Sequence, residues 1–310
     1  MVSARFSIGV NAGLRDGNAG RFREDARRIA ALGFDTIRLI AGPGLPEAAA
    51  SAAEAGLTLI PVLSNEDLNP VAALRAQPAV RAWDLGGALR ARHRPSGRNV
   101  PAGEHASEPV EERALAAWMT RLAAAIHHAS RVAVTASIPG DDLMDDRGIR
   151  LGTLCEPLAF ASLEANSALQ LVARTPLDPE VVPFAAMIAA AFSYKPVVIS
   201  AFGAETGAGA DEFERAVYAM QVLDRLHADG RSGAFWWAWD DLLDEDGKEK
   251  PVASALAAFA RQRREVITAS EMPMIAGTYY YRTLPESAHT LYEAYLGFVS
   301  ERRAAAKPQR

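Results

Sequence analysis

The chain has 310 residues, of which 49% are hydrophobic and 23% charged, with a net charge of −5. This is the balance of an ordinary folded domain; it excludes a disordered chain, a collagen and a coiled coil, and it leaves no basic footprint for nucleic acid. One cysteine, Cys155, excludes an internal disulfide framework and a thiolate metal cluster.

In chain order, short apolar runs alternate with longer Ala- and Arg-rich segments of helical period, the signature of repeated βα units around a parallel sheet. Strands are expected at Phe6–Asn11, Thr36–Ile40, Leu57–Leu63, Val80–Leu85, Val132–Ser137, Leu158–Leu163, Pro196–Ala201 and Ala234–Trp239. Helices are expected at Arg21–Leu32, Glu47–Ala55, Glu112–Ala129, Pro183–Ala191 and Asp211–Ala228. Gly33, Gly56 and Gly230 stand just past helix ends, where a left-handed residue closes the last turn. Eight such units spell a (β/α)8 TIM barrel over residues 1–262. Residues 263–310, with Tyr279-Tyr280-Tyr281 and a helix at Glu286–Arg302, form an extension packed on the barrel, with Ala304–Arg310 expected to be disordered. Arg90–Glu111, rich in Arg, Pro, Gly and His, is expected to be a long loop, either a lid or a solvated excursion. The N-terminus lacks an apolar signal core, and no apolar run approaches the roughly 18 residues that span a bilayer. The expectation is a cytoplasmic protein without membrane contact.

In such a barrel, chemistry is built at the carboxyl ends of the strands. Those ends read "GVN" at 9–11, "TIRL" at 36–39, "AWDLG" at 82–86, "VVISAFGAET" at 197–206 and a Trp-rich eighth strand; "DDRGIR" at 145–150 and "PLDPEVVPF" at 176–184 flank them. With these motifs the chain resembles the clan-A retaining glycoside hydrolases, in particular the cellulase- and mannanase-like members of family 5. The resemblance covers most of the chain and implies the barrel. It also implies where a general acid/base and a nucleophile would stand, and both positions depart from the pattern. The Asn-Glu that ends strand four in the family is matched by Gly87-Ala88, and the strand-seven nucleophile by Ala201. The His and Tyr of strand six are matched by Glu164 and Asn166. Retaining hydrolysis needs one carboxyl to protonate the leaving oxygen and another about 5 Å away to attack the anomeric carbon. Alanine does neither.

Glu164 is therefore the candidate catalytic residue. Inward positions alternate along a barrel strand, and beside Ala201, Trp237 and Ala88 a carboxylate would be poorly solvated, which raises a carboxyl pKa and suits a general base. The alternative is a structural ion pair with Arg38. Candidate substrate-binding residues are Asn11, Arg38, Asp84, Ala88, Asn166, Ala201, Trp237 and Trp239, the tryptophans as a flat apolar wall. Asp240 and Asp241 open an acidic run with Asp244, Glu245 and Asp246, read as a solvated loop, and Glu205 as a loop carboxylate. No metal-ligand spacing, phosphate loop or serine triad is present at the strand ends. The functional expectation is a non-hydrolytic enzyme moving a proton in an apolar or aromatic small molecule held in the barrel mouth, with no cofactor. The other reading is a pseudo-glycosidase that binds a carbohydrate or a partner.

Overall fold

A computed structural model describes residues 5–14, 19–93, 112–144, 149–165, 171–204, 211–262, 264–267 and 276–305. Its strands are β1 (Ser7–Ala12), β2 (Thr36–Ile40), β3 (Thr58–Val62), β4 (Ala82–Asp84), β5 (Ala133–Thr135), β6 (Ser137–Pro139), β7 (Ala161–Ala165), β8 (Val197–Phe202) and β9 (Gly233–Trp236). They form one parallel sheet in the order β5-β4-β3-β2-β1-β9-β8-β7-β6. The two ends of that order are consecutive in sequence, so the sheet closes on itself. This is the α/β architecture of a TIM barrel.

The closure explains one departure from the sequence reading. The expected fifth strand, Val132–Ser137, is two strands broken at Ala136. The first half pairs with β4 and the second with β7. A closed barrel must stagger its register, and the break lets one stretch of chain serve two neighbours. Two bonds complete the ring beside it: Ala159 N–H donates to Val134 O (2.8 Å) and Thr135 Oγ1 to Phe160 O (2.8 Å). The sixth strand position is also shifted, to Ala161–Ala165, so Glu164 lies within it rather than beyond its end.

Strand parity stacks the interior in layers. At mid-height Ile60, Ala82, Val198 and Phe235 form an apolar plug separate from the outer core. Gly9 makes room for it, since a Cβ there would lie 2.4 Å from Phe235 Cδ1 and 2.8 Å from the Thr36 carbonyl oxygen. Below the plug, Asp35 Oδ1 accepts from Ser7 Oγ (2.6 Å) and Thr36 Oγ1 (2.7 Å). Burial raises the Asp35 carboxyl despite those bonds. Above it lies a polar layer, described below.

The outer core is apolar surface between sheet and helices. Helix Glu212–Ala228 begins with a capping box: Asp211 accepts from Glu214 N–H (2.7 Å) while Glu214 accepts from Asp211 N–H (3.0 Å). Gly33 closes helix Ala19–Ala31 at φ 93°, as its position in the sequence requires.

Helix Glu286–Ala305 lies on the barrel, with Tyr292 and Tyr295 ring centroids 4.8 and 5.6 Å from Phe184. Tyr292 Oη donates to Asp178 Oδ2 (2.8 Å). Buried Tyr280 donates to the Leu143 carbonyl (2.8 Å). The helix includes Ala304 and Ala305, expected to be disordered and both exposed, and residues 306–310 lie outside the described residues. Among the described residues no helix is long and apolar enough to cross a membrane.

Candidate functional site at the barrel mouth

The upper layer is built around Arg38, which β2 points inward and which is 8% exposed. Its Nε donates to Asp84 Oδ2 (2.7 Å), Nη1 to Asn11 Oδ1 (2.8 Å) and Nη2 to Glu164 Oε1 (3.0 Å). One guanidinium thus joins β1, β4 and β7. Asn11 has no donor left for a ligand, since its Nδ2 donates to the carbonyls of Ser200 (2.8 Å) and Trp236 (2.9 Å).

Asp84 is wholly buried and fully bonded. Oδ1 accepts from the Gly86 and Ser137 amides (2.7 and 2.8 Å), and Oδ2 from Ser137 Oγ (2.5 Å) as well as Arg38. Ser137 Oγ also lies 2.8 Å from Ser200 Oγ and 3.1 Å from Ser162 Oγ. Burial alone would raise the Asp84 carboxyl, but the Arg38 charge and the Ser137 and Gly86 bonds outweigh it and hold it below its ordinary value. Burial works against Arg38 too, and the charges of Asp84 and Glu164 outweigh it, holding the guanidinium protonated.

Glu164 sits at a register shift between β7 and β8, opposite Ala201. Such irregularities re-aim a side chain. Its Oε1 is held by Arg38 and its Oε2 by Arg90 Nη2. The Glu164 side chain is 13% exposed and that of Arg90 49%. Arg90 corrects the sequence reading: it opens no loop but belongs to helix Gly86–His93, which follows β4 after a single residue. Residues 94–111, the rest of the expected loop, lie outside the described residues, as do Asn166 and Glu205.

That helix also fixes Ala88, which the resemblance expected at the acid/base position. Ala88 N–H donates to the Leu63 carbonyl (2.7 Å), and Ala88, 2% exposed, packs in the outer core. A Cβ at Gly87 would lie 2.5 Å from Leu63 O, and one at Gly86 2.7 Å from Ser137 O. The backbone itself closes this corner. Ala201 is buried, beside Glu164.

Strand β9 ends at Trp236, earlier than expected, so Trp237 and Trp239 follow the strand. Trp237 is half-buried and packs over Gly203, where a Cβ would lie 2.2 Å from its ring. Trp239 is no wall of the mouth: it is buried in the outer core, with the Arg28 guanidinium 5.6 Å from its ring centroid. Asp241, expected in a solvated loop, is buried. Its Oδ2 accepts from Trp236 Nε1 (2.9 Å), Trp237 Nε1 (2.9 Å) and the wholly buried Arg215. It thereby fixes the Trp237 ring. Sequence reasoning missed Arg90, Ser137, Asp241 and Arg215. The only available signal was that Asp241 follows three tryptophans closely.

Among the described residues no group of three or more His, Cys, Asp or Glu could hold a metal. Cys155 is buried, which pushes its thiol up to about 12 and leaves it unsuited to nucleophilic work.

The fold is shared with solved glycoside hydrolases. A family 5 subfamily 18 protein from Bifidobacterium longum subsp. longum superposes with a TM-score of 0.66 at 17% identity, over 86% of this chain and 81% of that one. The hyperthermostable endo-1,4-β-D-mannanase of Thermotoga petrophila gives 0.61 at 16% identity, over 83% and 99%. A β-glucuronidase from Ruminococcus gnavus gives 0.61 at 13%, over 82% and 49%. No protein-family profile matches the chain, and no curated protein sequence does. The likeness is one of fold: a glycoside-hydrolase-like barrel.

Proposed function

We propose that this chain is a non-hydrolysing barrel of the glycoside-hydrolase type, which binds a carbohydrate-sized ligand at its mouth. The observation that carries this reading is the engagement of Asp84 and Glu164 there by arginine. Asp84 accepts four hydrogen bonds and is sealed from solvent. Glu164 has one guanidinium on each oxygen. Retaining hydrolysis needs a proton-bearing carboxyl and a free carboxylate facing one bond, and among the described residues these two carboxylates are both engaged by arginine. The residues that the resemblance matches to the two family glutamates are Ala88, in helix Gly86–His93, and Ala201 on β8, and a Cβ at Gly86 or Gly87 would lie within 2.7 Å of a backbone oxygen.

What supports binding is that Trp237, with its edge held by Asp241, stays half-open. A rigid aromatic face suits the flat side of a sugar ring or another planar ligand.

The test is a turnover assay on aryl β-glucosides, β-mannosides and β-glucuronides, run beside ligand-observed NMR with the free sugars. Binding without hydrolysis is the expected result. Hydrolysis or isomerisation that disappears in Glu164→Gln would overturn it in favour of an enzyme.

A further inference from the structure

We infer that the mouth is a carboxylate-accepting subsite, in which Arg90 receives the acid group of a ligand by exchanging it for Glu164. The inference rests on the binding reading above and names the class of ligand.

Two arginines converge on Glu164 from different elements, and they are not equivalent. Arg38 is buried and uses Nε, Nη1 and Nη2 on Asp84, Asn11 and Glu164. It is fixed. Arg90 stands half-exposed at the rim, and among the described residues its only ionic partner is Glu164, through one terminal nitrogen. A guanidinium presents five donors in a planar fork that matches a carboxylate bidentately. Glu164 takes one of them. The remaining edge of the fork is where a second carboxylate fits, and Glu164 keeps its Arg38 partner if Arg90 leaves it. The exchange therefore strands no buried charge.

The surroundings say what the acid should be attached to. Ile40, two residues beyond Arg38 on β2 and so of the same parity, is 64% exposed at the strand end. Trp237 follows β9 and rests on Gly203, two residues past the Ala201 that faces Glu164. Apolar surface and a guanidinium edge without a second ionic partner among the described residues, at one end of the barrel, select a small ring that carries a carboxylate. Sugar acids and aromatic acids share that chemistry.

The experiment is calorimetric titration of the full chain with sodium D-glucuronate, sodium benzoate and D-glucose. The expected result is that at least one acid binds at least tenfold more tightly than glucose. Arg90→Met should then weaken that acid at least tenfold, and Glu164→Gln should strengthen it severalfold by removing the internal competitor. Glucuronate alone, or benzoate alone, would tell a sugar acid from an aromatic one. No acid binding, equal binding of glucose, or indifference to Arg90→Met would overturn the inference. Arg90 is at the surface, so its variant folds, and circular dichroism checks that. Hydrolysis of an aryl glycoside would instead sink the non-hydrolysing reading and leave these affinities as they are.

Discussion

Two carboxylates in this molecule are each held by a pair of arginines, with different outcomes. Glu164, at the mouth, gives one oxygen to buried Arg38 and the other to half-exposed Arg90. Glu180, under the C-terminal helix, gives Oε1 to both Arg225 Nη2 (3.1 Å) and Arg303, while its Oε2 is buried. Arg225 comes from helix Glu212–Ala228 and Arg303 from helix Glu286–Ala305, so Glu180 clamps two helices to the segment before a third. Phenols seal it: Tyr295 and Tyr292 are both raised by burial first and by the neighbouring carboxylates after it. The lesson is that the pairing does not decide the role. Arg303 is as exposed as Arg90, so what separates the two is what each pair joins: Glu180 ties two helices to the start of a third, whereas Glu164 ties a barrel strand to a helix at the mouth.

The largest break in that comparison is expected at Arg38. Arg38→Met leaves Asp84 charged and buried without its cation, which costs about 3–5 kcal/mol; urea unfolding should read it, and a loss below about 1 kcal/mol would refute the central role given to this arginine. On the tail side, Glu180→Gln removes charge from the clasp and should cost about 2 kcal/mol, with early proteolytic release of helix Glu286–Ala305 while the barrel stays folded. Unfolding of barrel and tail in one step would contradict it. Tyr292→Phe deletes a single bond to Asp178 and should cost about 1 kcal/mol, read as a small shift in thermal midpoint. Arg90→Met should change stability least, by under about 0.5 kcal/mol, because its ion pair is screened at the surface; a larger loss would make it a second clasp.

Acid sharpens the same contrast. The folded carboxyl of Asp84 lies below its unfolded value of about 3.9, so its contribution is complete above that value. It is lost only as pH falls through the lower folded value. Stability of the wild type should therefore show an acid limb below about pH 4 that Arg38→Met lacks, measured by urea unfolding from pH 6 to pH 3. An equal limb in both would assign acid sensitivity elsewhere.

Much of the frame was legible in the sequence. Thr36–Ile40 was bounded correctly because a run rich in β-branched residues begins three residues after the helix-ending Gly33. Reading the strand ends was enough to name Asn11, Arg38, Asp84 and Glu164 as candidates at the mouth, and the pairing of Arg38 with Glu164 was one of the two readings weighed; the four-residue network itself was not foreseen. What escaped were groups brought in from elsewhere. Arg90 and Arg215 reach their partners from helices over 74 and 26 positions of sequence, a distance periodicity does not encode. Asp241 looked like part of a charge run, and only the closing of the chain over two indoles makes it a buried acceptor. The break at Ala136 follows from closing the ring, a property of the whole sheet rather than of its local residues.

That break has a spectroscopic consequence. By interrupting the strand at Ala136, the chain turns the Ser137 amide onto Asp84 Oδ1, beside the Gly86 amide on the same atom. These two N–H groups point at a charge rather than at a ladder carbonyl. Their proton shifts should therefore follow the ionisation of one carboxylate at the heart of the barrel, making the backbone its own indicator dye.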